Sequence, residues 1–227
     1  MLPIIHTEKE KIMVSAVFSL TDIDKKTWIL IAVAAAAALL LILYLCVHFS
    51  KGRRKGRTAE KKVGKFLKKL GKNDKIRIIN NAFLPLYNKA CEVDHLVFGR
   101  FGVLVVETKG ISGEIKGSGK NLTHTIGSKT HKLYNPQMQN KNHIDNVVHH
   151  LKKGGFDKTP VNGAVVFAAK DITFPSEIGT DLKGLEKLYK SLPDAGCNQD
   201  VLYNYFHDMQ VRNPLKKAWI KTRKKND

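Results

Sequence analysis

The run Trp28–Phe49, WILIAVAAAAALLLILYLCVHF, constrains this chain more than any other feature. It is 22 residues without an acid, a lysine or an arginine. As a helix it spans roughly 33 Å, enough for a hydrocarbon core of about 30 Å. Trp28 and Tyr44 fall where interfacial aromatics belong. A cleaved signal peptide would have a shorter apolar core, nearer the start and followed by small residues. Here the run ends in HFSKGRRKGR, a stop-transfer flank. The expectation is therefore one transmembrane helix over 28–49, a short extracytoplasmic tail over 1–27 and a basic juxtamembrane linker over 50–57.

Charge sets the orientation. The chain holds 39 Lys+Arg against 20 Asp+Glu, a formal +19, and residues 51–227 carry all of that excess. From Lys51 to Lys75 there are twelve basic residues against Glu60 and Asp74. The positive-inside rule then places the C-terminal part in the cytoplasm and the N-terminus outside. A region this basic attracts polyanions such as nucleic acid, anionic lipid or phosphorylated ligands, and composition does not choose among them. The segment Lys51–Arg57 is sufficiently explained as a topology signal plus attraction to anionic lipid, on the order of 1 kcal/mol per basic residue. Three cysteines, Cys46, Cys91 and Cys197, fit neither a disulfide framework nor a zinc ribbon, which excludes a disulfide scaffold.

Beyond the span, Thr58 is placed to cap a helix whose apolar positions Val63, Phe66, Leu67 and Leu70 recur at helical spacing, with Gly71 ending it. Strands are expected at Lys75–Asn80, Glu92–Phe98, Val103–Lys109, from Glu114 to Lys116 and at Val161–Ala169. Asn81–Ala90 reads as a loop, and 117–134 as polar and irregular. Asn135-Pro136 is a helix start, with Ile144, Val147, Val148 and Leu151 as its apolar face. Further helices are expected near 181–192, 199–209 and 214–224. The order implies a mixed α/β domain on one sheet.

The chemistry concentrates in CEVDHLVFGRFGVLVVETKG. If Gly99–Gly102 closes a two- or four-residue hairpin, Asp94 faces Glu107 and Glu92 faces Lys109, all four on one side of the sheet. Opposed carboxylates repel and call for a cation, and a divalent ion that prefers oxygen ligands, Mg²⁺ or Mn²⁺, is suited to them. A three- or five-residue loop would remove the pairing. Glu60 lies on the apolar face of the first helix. It is either a third carboxylate aimed at the sheet or an acid favoured by the helix dipole. Lys109 is read either as holding a water or phosphate oxygen or as a salt bridge to Glu92. His95 is expected on the face opposite the acids as a packed, hydrogen-bonded histidine. His149 and His150 are expected on a helix surface, His143 as a candidate phosphate contact and Cys91 as buried and inert. Gly117-Ser118-Gly119-Lys120 lacks the Ser/Thr and the following helix of a phosphate-binding loop. The nine histidines show no metal-ligand spacing. The basic tail with Trp219 reads either as a solvated end or as a contact of Trp219 with membrane or nucleic acid.

An acid on a first helix, an Asp ending one strand and Glu-x-Lys on the next resemble the PD-(D/E)XK nuclease superfamily. More closely, EVDHLVFGRFGVLVVETKGISGEIKG followed by NPQMQNKNHI resembles the nuclease-related domain, NERD, over roughly Gly56 to Ala169. The resemblance implies a restriction-endonuclease-like mixed sheet flanked by helices. It implies Asp94, Glu107 and Glu60 as metal ligands and Lys109 as the group that positions the attacking water. Glu92 and Gln139 match positions of the same pattern. A helical wheel, by contrast, puts Gln137 and Asn140 on the apolar face and Gln139 away from it. Leu122 stands near where an aromatic, usually Trp, is common.

The expected organisation is a nuclease-like domain over 58–190 and a basic helical extension over 191–227. The expected function is metal-dependent hydrolysis of nucleic acid, DNA more than RNA, beside the membrane. The alternatives are an inactive module on the same fold that binds nucleic acid or anionic lipid, and a scaffold whose basic surface rests on lipid.

Overall fold

The structure, a computed structural model, describes residues 24–86 and 89–213, with the side chains of all of these except 46–53 and 89. The expected helix over 214–224 and Trp219 lie outside the described residues, as does most of the expected N-terminal tail. Met1–Gly52 and Arg53–Asp227 are separate units.

The first helix, α1, runs Lys25–Leu70. Its apolar part, Lys25–Leu45, has mean hydropathy 2.7 and no buried residue, and is long and apolar enough to cross a membrane, a test that a signal sequence also passes. Residues 50–57, expected as a linker, are helical. Lysine and arginine are good helix formers, and Gly52 and Gly56 cost only about 1 kcal/mol each. Thr58 consequently caps nothing, and its hydroxyl donates to the Arg54 carbonyl one turn back. Gly71 does end the helix.

Within the second unit the main sheet has the order β1-β2-β3-β7, with β1 Arg77–Leu86, β2 Lys89–Gly99, β3 Gly102–Lys109 and β7 Val161–Phe167. The first three pair antiparallel and β7 joins β3 in parallel. The stretch expected as a loop from Asn81 is mostly strand, with Pro85 in an edge strand where a missing N–H is tolerated. The β2–β3 turn is the two-residue Arg100-Phe101. Gly102 follows at φ +96°, where a Cβ would collide with the Pro160 carbonyl.

Helices cover both faces of this sheet. On one side lie α2 (Pro136–Lys153) and α4 (Gln199–Met209), whose Val147, Leu151, Leu202 and Phe206 pack on Val93, Leu96, Phe98 and Val105. On the other, Val63 and Leu67 of α1 and Leu185 of α3 (Leu182–Ser191) pack on Val97, Leu104 and Val106. Val63 and Leu67 are fully buried, and burial of such side chains is worth about 1.5–3 kcal/mol each. The apolar spacing of α1 is therefore used as expected.

Among the described residues there are two mixed sheets, where one was expected. The second has the order β6-β5-β4-β8, from β4 (Gly113–Lys116), β5 (Asn121–Ile126), β6 (Lys129–Tyr134) and β8 (Ile172–Thr173). Only Leu122 and His124 of the β5–β6 hairpin are buried, and β6 is an edge strand with exposed Lys129 and Lys132. That sparse apolar content explains why 117–134 reads as irregular. Leu122 packs with Ile115 and Phe167, so its position is one of core packing.

Candidate active site

The site arises from a slip in strand alternation. On β2, Cys91 and Val93 face the α2 side, and so do Leu96 and Phe98. Strict period-two alternation forbids that combination, so two successive residues, Asp94 and His95, must share the other face. β1 slips in step. Ile79 and then Ala82 and Leu84 face the α2 side, and Asn81 between them has φ +52°. The ladder pairs Asn80 with His95 and Ala82 with Val93, skipping Asn81 and Asp94. Asp94 and His95 therefore line a groove beside α1 together with Glu60, Asn80, Asn81 and Glu92.

β3 does not slip. Val103 and Val105 face the α2 side, and by alternation Glu107 and Lys109 follow them. The expected register is present, Gly99 opposite Gly102 through His95 opposite Val106. The next rung would join Asp94 and Glu107, but the ladder ends there. The expected face-to-face pairing is thus corrected: Asp94 lines the groove beside α1, whereas Glu107 is held by His143 and Lys109. Asp94 Oδ2 instead accepts from the Thr108 backbone N–H at 2.7 Å. His95, expected opposite all the acids, shares the groove with Asp94 and bonds Asn80 Oδ1 through Nδ1 at 2.7 Å.

Glu107 is 2% exposed. Lys109 Nζ donates to Glu107 Oε1 at 2.7 Å and to Gln139 Oε1 at 2.8 Å, which are its partners in place of the expected Glu92. His143 Nε2 stands 3.2 Å from Glu107 Oε2, and its Nδ1 2.8 Å from Cys91 Sγ. Burial works against charge on both Glu107 and His143, but their contacts outweigh it. His143 and Lys109 hold the Glu107 carboxyl below its ordinary range, and Cys91 and Glu107 hold His143 up at about 9. Asp94 has no comparable cation. Burial first, then the charge of Glu107, pushes it up to about 7, with a smaller push from Glu60 and opposition from the Thr108 N–H and Lys109. Burial draws His95 down to about 4.

This donor set fits a hard divalent ion. Asp94 is a carboxyl raised by burial and by the charge of Glu107, both of which a bound cation would offset. Glu107 Oε2 is buried without an aligned hydrogen-bond donor, since His143 is close but not in line. Mg²⁺ binds through one or two carboxylates and keeps several waters. Glu60 stands alongside, its Oε2 accepting from Asn81 Nδ2 at 2.9 Å. Among the described residues no three of His, Cys, Asp and Glu gather as a metal cluster, and the charge of Glu60 acts on Asp94.

The helical wheel misplaces Gln139. It is partly buried and reaches Lys109 from the flank of α2, because a long side chain covers surface well off its own Cα direction. The wheel is right about Asn140, which is 2% exposed and donates to the carbonyls of Val105 and Ala164 at 3.4 and 3.2 Å. Gln137 is exposed. His143 is a buried partner of Glu107, and Cys91 is buried as expected but hydrogen-bonded to it. His150 is not on the surface: it is buried and bonds the Pro85 carbonyl. The Cys91–His143 contact was missed, and only the shared parity of Cys91 with Val93 hinted at it.

Comparison with known proteins places the sequence. A relative, an uncharacterized protein of Bacillus anthracis, is 37% identical over 92 residues, which is 40% of this chain and 43% of the relative. The matched region is thus less than half of that relative's length. No solved structure matches. The family model of the nuclease-related domain matches residues 55–168, half of the chain, and those residues hold Glu60, Asp94, Glu107, Lys109 and Gln139. The chain belongs to the nuclease-related domain (NERD) family.

Proposed function

We propose that this chain is a membrane-anchored, Mg²⁺- or Mn²⁺-dependent nuclease that hydrolyses phosphodiester bonds, in DNA before RNA, on the cytoplasmic side. One observation carries the reading. A buried Glu107 and an Asp94 held by the Thr108 N–H stand at one sheet end, with the Lys109 ammonium 2.7 Å from the first. Asp94 and Glu107 would hold the ion, which when bound supplies Lewis acidity and an activated water at neutral pH. Lys109, fixed from its other side by Gln139, presents positive charge to a reacting phosphate without reorganisation. His143 orients the Glu107 carboxylate and Asn81 orients that of Glu60. The apolar Lys25–Leu45 segment and the basic residues after it support the anchor and its orientation.

The test uses the full chain in detergent. It is incubated with linear and circular, single- and double-stranded DNA and with RNA, in Mg²⁺ or Mn²⁺ or in EDTA. Cleavage that needs the metal and is lost in Glu107→Gln is expected. Cleavage that persists in Glu107→Gln would refute the site. Salt-sensitive binding without cleavage would make the chain a binding module on the same fold.

A further inference from the structure

The groove that holds Asp94 and Glu60 is an open trough of about 1010 Å³, and one of its walls is a face of α1. That wall presents Arg57, Lys61, Lys65 and Lys68, at steps of four, four and three residues, the spacing that stacks side chains along one face of a helix. All four are exposed, and among the described residues none is paired with a carboxylate. Some exposed cations elsewhere on the second unit are paired, as Lys141 is with Asp145 and Lys190 with Glu186. The unpaired row covers about 16 Å of helix. A duplex carries a phosphate every ~3.4 Å along each strand, so several phosphates of one strand fall beside the row.

We propose that this face of α1 is a phosphate track for double-stranded nucleic acid, which leads one strand along the groove to Asp94. The duplex assignment rests on what the groove lacks. Among the described residues no Phe, Tyr or Trp lines it, whereas sites for single strands combine a basic groove with aromatic platforms on which bases stack. A row of cations without aromatic platforms holds the backbone and leaves the bases paired, with no sequence read. The catalytic end of the track rests on the nuclease reading, but binding along the row does not.

The full chain in detergent is titrated with a labelled 20-base-pair duplex and with one of its strands, in EDTA, from 50 to 200 mM KCl. The variants are Lys61→Gln/Lys65→Gln/Lys68→Gln and a control of equal charge, Lys152→Gln/Lys153→Gln/Lys158→Gln, with equal melting temperatures as the check on folding. The wild-type protein is expected to bind duplex at least as tightly as single strand. The α1 variant is expected to bind duplex at least tenfold more weakly, with the slope of log Kd against log salt reduced by about 2–3, since each phosphate contact contributes ~0.9. The control keeps its slope within about 1. An unchanged slope in the α1 variant would leave the row to some other polyanion, such as a lipid surface, and overturn the proposal. So would tighter binding of the single strand. Because EDTA prevents cleavage, a failure here is separate from a failure of the Glu107→Gln cleavage test.

Discussion

Replacing Asp94 by Asn stabilises the metal-free protein. The folded state holds the Asp94 proton until about pH 7, because burial and the charge of Glu107 oppose its loss. The unfolded chain releases it near 4. Between these values the native state binds more protons, so stability falls as pH rises from about 4 to about 7 and stays low above that. Three pKa units correspond to about 4 kcal/mol. Because Glu107 is shifted the opposite way, about 2–4 kcal/mol is the expected net gain for Asp94→Asn at pH 8. Asn is nearly isosteric and its carbonyl still accepts from the Thr108 N–H. For a domain of this size the gain is a rise of about 5–15 °C in Tm. Thermal unfolding of the full chain in detergent and EDTA, at pH 5 and pH 8, measures it: a large gap at pH 8, a smaller one at pH 5. Saturating Mg²⁺ should narrow the pH 8 gap, since a ligand at 100 times its Kd stabilises the wild type by about 2.7 kcal/mol. A variant no more stable than wild type at pH 8 would refute the account of Asp94 as an unbalanced buried acid.

Three other substitutions separate chemistry from architecture. Lys109→Met should lower kcat by about 10²–10³ while duplex affinity in EDTA changes less than twofold, because the lysine acts on the reacting phosphate; single-turnover cleavage and anisotropy give the two numbers. Gln139→Leu removes the second anchor of Lys109 and should cost about tenfold in kcat with little change in Tm. Asn140→Ala strips two buried carbonyls of their donor and should destabilise the domain by about 1–3 kcal/mol, read by denaturant titration.

The hairpin register was legible because Gly99 and Gly102 bracket a two-residue turn, and a turn fixes register by geometry alone. The faces were not. The slip at Asp94 exists only because β1 slips beside it at Asn81, and no single strand's pattern records an agreement between two. Gln139 escaped a wheel that reports Cα direction and ignores reach. The β5–β6 hairpin escaped because Leu122 and His124 are all that it buries. The polar set Glu60, Asp94, Glu107 and Lys109 was readable as residue types at spacings, whereas the buried Cys91–His143 contact depends on how α2 seats on the sheet.

The edge position of β6 bears on how the molecule avoids its own kind. An open edge strand offers unpaired N–H and C=O groups to any passing strand, and two copies meeting edge to edge would continue one sheet into the next. Lys129 and Lys132 project from that edge and β6 buries none of its residues, so such a meeting would set like charges together with no apolar gain. The second sheet thus extends the domain without becoming a template for aggregation.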